Sequence, residues 1–426
     1  MNIYAEYKSR REKLYSQIGD GIAILVNAKE ATRNRDCFYP FRSDSYFHYL
    51  SAFPEPESII VIFGGKDPKS IIFSQPKDEI KEIWNGYIYG PSKACEEFLF
   101  HEGYSLSEVH KILPKMLKSK NIFLLPSCQI SFLNEKWFKD NNKKRKDLSE
   151  VLDRLRVVKN EFEVDLMRKS AEIAANAHIH AMRFTKKDIF EYEIEGEILN
   201  QFYKKDARNP AYSSIVAAGT NACTLHYIKN NSQLKDGQLL LIDAGCEVEN
   251  YASDITRTYP VNGKFSPAQK EIYQLVLLSQ KAAIEKVKEG NFFDDPHKEA
   301  LKILIDGLLD LGLLDGTKDE IYEKESYKKF FMHRTSHWLG LDVHDVGKYL
   351  SNTDKKTPVK LNKGNVLTIE PGCYISPSNQ VPKEFWGIGI RIEDDILVTS
   401  NGYDVLSKNA PKEIQELESI IGTLND

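Results

Sequence analysis

Two twelve-residue stretches, LKDGQLLLIDAG at 234–245 and LNKGNVLTIEPG at 361–372, align without a gap. An internal repeat restricts a fold more than any single motif does, because each copy must build the same local unit. Leu, Gly, Leu, Ile and Gly coincide, and Asp243 falls opposite Glu370. Each copy reads as a glycine turn, a buried strand, and a carboxylate where the strand ends. A histidine precedes each, His226 in LHY and His344 in VHD. The pattern predicts a domain of two similar halves, with equivalent strand ends delivering Asp243 and Glu370 to one place.

Two more carboxylates belong to the same region. YASDITRTYPV carries Asp254 among β-branched and aromatic residues that favour a strand, so a hairpin can set Asp243 and Asp254 on one face. GIGIRIEDDILVT carries Glu393 inside an apolar strand pattern, far enough from Glu370 for the two to lie on neighbouring strands. Buried acids are costly without a cation, and several together repel one another. Metal ions resolve that conflict. Histidine is at hand in FMHRTSHWLGLDVHDVG, 331–347, which holds His333, His337 and His344. Carboxylates with one imidazole and no thiolate make a hard, oxygen-rich site suited to Mn²⁺ or a similar ion rather than a structural zinc. Four carboxylates also carry enough charge to hold two ions, which can bridge and activate one water.

The chain has 426 residues, more than one hydrophobic core usually serves, so two domains are expected. Its first part alternates helical segments with short apolar strands, GIAILV, ESIIVIFG, KSIIFSQ and NIFLLPS, which predicts an α/β domain. The basic run KDNNKKRKD, Lys139 to Asp147, reads as solvated surface near a boundary. LSEVLDRLRVVKNEFEVDLMRKSAEIAANAHIHAMRF has apolar residues at helical spacing and opens the second domain. With the boundary near Val158, the domains are 1–158 and 159–426. A net charge of -4 gives no reason to expect nucleic acid. No apolar run approaches the roughly 18 residues of a membrane span, and the charged N-terminus lacks a signal peptide's apolar core. Cys37, Cys95, Cys128, Cys223, Cys246 and Cys373 are scattered without a C-x-x-C pair, which suits a reduced, cytoplasmic setting.

DAG at Asp243, SDITRT at Asp254, SHWLGLDVHDVG from Ser336, TIEPG at Glu370 and GIRIEDD at Glu393 together resemble the motif set of the pita-bread metallopeptidases of the aminopeptidase P family. NRDCFYPFRSDSYFHYLSAFPEPES is similar to that family's N-terminal, creatinase-like domain, and LRVVKNEFEVDLMRKSAEIAANAH resembles the entry to its catalytic domain. The resemblance implies an α/β (α+β) chain: a mixed α/β N-terminal domain followed by a pita-bread catalytic domain with two pseudo-symmetric halves. It implies that Asp243, Asp254, His337, Glu370 and Glu393 bind two divalent ions, with Asp254 and Glu393 bridging them. Mn²⁺ is the expected ion, with Co²⁺ or Zn²⁺ as alternatives. Glu370 would also accept the proton of the attacking water. His226 and His344 would flank the scissile peptide and stabilise the tetrahedral intermediate or assist proton transfer. His333 would line the proline side, and Arg391 and Tyr374 would support Asp243 from behind. The implied partners are peptides with proline in second position, and the chain itself as a dimer or tetramer, with neither nucleic acid nor membrane.

Two places depart from the family pattern. Arg334 and Thr335 stand where small residues, often Gly-Leu, commonly follow the first histidine, and this puts a bulky cation beside the proline pocket. EIWNGYIYG resembles a segment that reaches a neighbouring subunit in some members, without its basic residues; Trp84 there is read as core or interface packing. The aromatics of FYPFRSDSYFHYL are read as packing residues too. The implied activity is removal of an N-terminal residue that precedes proline. Prolidase, which cleaves Xaa-Pro dipeptides, shares the ligands and is the alternative, though SHWLG around His337 favours the aminopeptidase. A non-catalytic binding module is the reading from another class, and the presence of all five ligands argues against it.

Overall fold

The computed structural model describes residues 3–117, 121–127, 145–351 and 353–424, and divides them into two compact units, Met1–Arg156 and Val157–Asp426. Cys128 and residues 139–144 of the basic run lie outside the described residues.

The first unit is built on a six-stranded mixed sheet in the order Glu102–Ser105, Lys69–Ser74, Ile59–Phe63, Ile22–Val26, Ile122–Leu124, Arg145–Asp147. The four apolar segments read from the sequence are its four central strands. Ile22–Val26 and Ile59–Phe63 pair antiparallel and, with Ile71, Phe73 and Leu124, fill the core between sheet and helices. Arg145–Asp147, the end of the basic run, forms an exposed edge strand, where charged side chains discourage further pairing. Arg10 and Arg11 are fully buried on the helix Tyr4–Ile18 and spend their donors on the carbonyls of Tyr49, Leu50, Phe98 and Leu99. Phe47 and Tyr49 pack as expected, but Phe38 and Tyr39 are about half exposed. Trp84 is 82% exposed on the helix Glu79–Asn85, which buries no residue, so its core-packing alternative is excluded.

The second unit opens with the helix Glu161–Phe184. Asn160 accepts from the Glu163 N–H at 3.0 Å while Glu163 Oε2 accepts from the Asn160 N–H, a reciprocal cap that contributes about 1 kcal/mol. Its buried Ala171, Ala174, Ala175, Ala177 and Ala181 make a low-relief face that lets the sheet approach closely. Behind it lie two antiparallel sheets of three strands each. In one, Leu239–Asp243 is flanked by Ile215–Ala218 and Thr256–Pro260; in the other, Asp394–Thr399 is flanked by Val366–Ile369 and Gly402–Val405. The repeated sequence thus supplies Leu239–Asp243 to one sheet and Val366–Ile369 to the other. The paired glycines of the repeat have a shared cause: Gly237 and Gly364 turn the chain at φ +76° and +88°, where side chains are strained. The third, Gly245, passes so close to the Ser253 carbonyl that a Cβ could not fit.

The sheets meet at the strand Ile388–Arg391. The Thr258 hydroxyl donates to the Arg391 carbonyl at 3.0 Å, and the Glu393 N–H donates to the Thr256 carbonyl at 3.1 Å. Sequence alternation places Asp254 and Glu393 within strands, and here the structure differs. Regular pairing stops at Ser253–Ile255 and again at Ile392–Glu393. At Asp254 the reason is tertiary: its N–H leaves the ladder and donates to the Asp395 carboxylate of the other sheet at 3.2 Å. Among the described residues no helix is long and apolar enough to cross a membrane.

Candidate active site

A cleft of about 990 Å³ opens in the second unit, lined by Asp243, Asp254, His337, Glu370 and Glu393 together with His226, His333, His344, Arg334 and Arg391. Of the residues singled out in the sequence for this site, the lining leaves out the buried Thr335 and, behind the wall, the buried Tyr374. Its hydroxyl takes a hydrogen bond from Arg391 Nη1 at 3.0 Å and reaches His333 Nε2 at 2.8 Å.

The strand ends position the acids. In the register of Val366–Ile369 against Asp394–Thr399, Ile369 faces Asp394, so Glu370 and Glu393 follow as the next opposing pair. In the other sheet Asp243 faces Thr256, and Asp254 lies just before that strand. His337 is fixed to the Glu370 strand: its N–H donates to Thr368 Oγ1 at 3.1 Å, its carbonyl accepts from the Thr368 N–H, and the Glu370 N–H donates to the Thr335 carbonyl. The imidazole Nδ1 then lies 3.0 Å from the Trp338 carbonyl as donor, which leaves Nε2, the nitrogen free to bind a metal once it gives up its proton, facing Asp254 Oδ2 at 3.3 Å and Glu370 Oε1 at 3.6 Å. Ligand atoms of Asp254, His337 and Glu393 all lie within 4.8 Å of one another.

So much negative charge needs compensation. Two like charges about 4 Å apart repel by about 4 kcal/mol even at an effective dielectric near 20. Burial, reinforced by Asp254 and Asp243, pushes the Glu370 carboxyl up to about 7, against the pull of His337 and Arg391. Burial and the other three carboxylates hold Glu393 well above the usual range. Asp254 is raised as well, by burial first, although His337 offsets part of it. The His337 imidazole moves the other way: burial resists its charged form, but the Asp254 hydrogen bond and the charge of Glu370 outweigh it and hold it at about 9. These opposed shifts describe acids that lack cations. Four carboxylates around one imidazole whose Nε2 is turned inward fit divalent metal ions, whose charge would favour the ionised forms of Asp254, Glu370 and Glu393 and displace the proton from His337.

The remaining histidines sit around this centre. His333 is driven down to about 3 by burial and by Arg391, so it stays neutral, with Nδ1 donating to the Arg334 carbonyl and Nε2 accepting from Tyr374. His344 packs edge-on against His337 with ring centroids 4.4 Å apart. Its loop is anchored by the buried Asp345–Lys159 pair at 3.0 Å. His226 lines the same cleft, exposed in a segment without regular structure. Arg334, the unexpected cation, pairs with Asp294, so its charge is partly answered within the protein.

Several residues of the site carry no sequence signal of their own. The Tyr212 hydroxyl lies 2.5 Å from Asp243 Oδ1 and 2.6 Å from Asp254 Oδ1, between two prospective ligands. Thr256 Oγ1 donates to Glu393 Oε2 at 2.6 Å and takes a bond from Arg391 Nε. Arg391 itself reaches Asp243 Oδ2 at 2.5 Å, whereas Tyr374 touches Asp243 only through it. His178, from the long helix, lies 3.0 Å from the Ala244 carbonyl and pins the chain just past Asp243.

Comparison with known proteins covers both units. The model of metallopeptidase family M24 matches residues 165–400, and that of the aminopeptidase P N-terminal domain matches residues 7–124. The Xaa-Pro aminopeptidase of Haemophilus influenzae is 43% identical over 422 residues, which is 98% of this chain and 97% of that protein. The structure of Pseudomonas aeruginosa aminopeptidase PepP superposes with a TM-score of 0.94 at 40% identity, covering 98% of this chain and 97% of that one. Escherichia coli aminopeptidase P with the inhibitor Pro-Leu gives 0.92 at 37% identity, covering 98% of each.

Proposed function

The chain belongs to metallopeptidase family M24, with an aminopeptidase P N-terminal domain, and from this premise we propose that it hydrolyses the bond between an N-terminal residue and a proline in second position. It is a metal-dependent Xaa-Pro aminopeptidase. The observation that carries this reading is the convergence of four carboxylates and an inward-facing His337 Nε2 in one cleft. Asp243, Asp254, His337, Glu370 and Glu393 would hold two divalent ions, with Mn²⁺ the ion expected for so oxygen-rich a set. Bound there, the ions supply Lewis acidity, which acidifies a water and polarises the scissile carbonyl.

The chain's own residues do the rest. A peptide bond to proline is a tertiary amide without an N–H, and like any amide nitrogen it must receive a proton before it leaves. Glu370 takes a proton from the attacking water and passes it to that nitrogen, a task suited to a carboxyl that lines the cleft beside the other ligand atoms. His226 and His344, which both line the cleft, donate to the developing oxyanion. His333, kept neutral, offers a flat ring to the proline. Arg391 and Tyr212 hold Asp243 in place from behind.

Prolidase would need a closed, cationic end to capture the proline carboxylate. Arg334 is the candidate cation, and its pairing with Asp294 leaves it poorly suited to that task. A reduced, cytoplasmic setting is supported by the free Cys37, Cys95, Cys223, Cys246 and Cys373. A homo-oligomer, dimer or tetramer, is supported by the uncovered Ile80, Ile83, Trp84 and Tyr87. The deciding assay measures release of the N-terminal residue from matched Xaa-Pro dipeptides, tripeptides and pentapeptides with Mn²⁺ present. Tripeptides and longer substrates should be cleaved at least as well as dipeptides, and peptides without proline in second position should be spared. Cleavage confined to dipeptides would overturn the aminopeptidase reading in favour of prolidase.

A further inference from the structure

His226 lies on a cleft wall that has no helix or strand to hold it. The segment leaves the edge strand Ile215–Ala218, makes a short turn of 3₁₀ helix at Gly219–Cys223, and returns irregularly through Leu225, His226 and Ile228 to Ser232. Leu225, His226 and Ile228 line the cleft. An irregular loop of this kind has many accessible conformations, and a side chain on it is well placed only if something else removes them.

That something is Glu191, the first residue of the helix Glu191–Lys204, which is fully buried and reaches both roots of the loop. Its Oε1 accepts from the Ala218 N–H at 2.8 Å, where the loop departs, and from Asn221 Nδ2 at 2.9 Å. Its Oε2 accepts from the Ser232 N–H at 2.8 Å, where the loop returns, and from the Tyr227 hydroxyl at 2.8 Å, next to His226. The backbone closes the clamp in the other direction, since the Glu191 N–H donates to the Ser232 carbonyl at 3.0 Å. A carboxylate taking four donors uses all its lone-pair directions. Nothing in the fold of the helix requires such a group: its first turn would be capped as well by a smaller acceptor, and the donors all come from the loop and its roots.

We propose that Glu191 is a positioning residue for the reaction: by tying Ala218, Asn221, Tyr227 and Ser232 to one buried carboxylate it fixes the loop that presents His226 to the scissile peptide. The inference rests on the role given to His226 above. Asn230 assists from the other side, its Oδ1 accepting from the Val216 N–H and its Nδ2 donating to the Ser214 carbonyl, so the loop also covers the free edge of the sheet. Glu191 touches neither the metal ligands nor the cleft, and its effect is therefore on rate through His226 rather than on metal.

The test is a double-mutant cycle on the metal-loaded enzyme with an Xaa-Pro-Yaa tripeptide, joining Glu191→Gln to His226→Ala. Glu191→Gln sets an NH₂ among donors and should lower kcat roughly tenfold, leave KM within about twofold, and leave metal content unchanged. In the His226→Ala background the same substitution should cost almost nothing, because the side chain it positions is gone. Equal losses in both backgrounds, or an unchanged kcat in Glu191→Gln, would overturn the proposal while leaving His226 in its role. His226→Ala at full activity would instead strike the role of His226, and the proposal with it. If Glu191→Gln does not fold, Tyr227→Phe carries the same cycle, removing one donor to Glu191, with a loss of about threefold expected that again vanishes without His226.

Discussion

The strand that ends at Asp243 and the strand that ends at Glu370 share a backbone plan, yet the carboxylates they deliver live in different electrostatic surroundings. Asp243 meets the Arg391 guanidinium at 2.5 Å and the Tyr212 hydroxyl at 2.5 Å. Glu370 has no arginine in contact and faces only His333 and His337 imidazoles at 3.6 Å. The first is paired with a permanent cation, and the second is pushed up to about 7 by burial and by its acidic neighbours. A duplicated fold can therefore place two carboxylates equivalently while its side chains surround them differently, which supports the division of work proposed above: a fixed ligand in one half, and in the other a ligand that also moves a proton.

The sharpest way to break this comparison is to remove a ligand from each half. Asp254→Asn takes away one of the carboxylates that would hold the ions, and both metal content and turnover should collapse, with kcat falling by about 10⁴ or more. Elemental analysis that finds a fully active, metal-free protein would end the metal reading. Glu370→Gln should cost about 10³ in kcat because the proton relay goes with it. If Asp243→Asn and Glu370→Gln proved identical in their effects on metal and on rate, the proposed division of labour between the halves would be wrong.

The histidines separate ligand from substrate residue in the same manner. His344→Ala should lose about 10² in kcat yet keep its metal, whereas His337→Ala should lose both. A matching loss of metal in the two variants would show that His344 is a ligand. Tyr212→Phe probes the first half alone: deleting the hydroxyl shared by Asp243 and Asp254 should weaken metal affinity about tenfold, read by titration of the apo protein.

The smallest effect tests the electrostatic difference directly. Glu370 sits at about 7 against an ordinary value of 4.5, so the metal-free folded protein carries a proton there that the unfolded chain gives up sooner. The stabilisation from that proton is complete below the unfolded value and is lost as pH rises through about 7. A divalent ion must displace the proton, so the rise in Tm on adding Mn²⁺ should grow from about pH 6 to about pH 8. A shift in Tm independent of pH would mean that Glu370 is already ionised, and the asymmetry between the halves would disappear.

What the sequence determined by itself lies where physics acts along the chain. Apolar runs between glycines and prolines give the central strands of the first sheet, because a buried strand needs only its own residues to be recognised. The repeat at 234–245 and 361–372 places Asp243 and Glu370 at strand ends, and its glycines stand where the backbone needs positive φ or a missing Cβ. Motifs around His337, Asp254 and Glu393 point to one metal site for the same reason: ligands must be of particular types, and those types are visible in one dimension. The tertiary structure alone decided which groups stand behind them. Tyr212, Thr256, His178 and Glu191 are ordinary residues in ordinary contexts, and they matter only because a hydroxyl, an imidazole or a carboxylate arrives from a distant element within hydrogen-bond reach. Likewise, Arg334 reads as a free cation in the sequence and is paired to Asp294 in the fold. Asp254 and Glu393 read as strand residues and lie at strand breaks, because the acceptor for the Asp254 N–H is the Asp395 carboxylate on another sheet. Hydrogen bonds and charge compensation depend on distances in space, and a linear pattern holds no record of them.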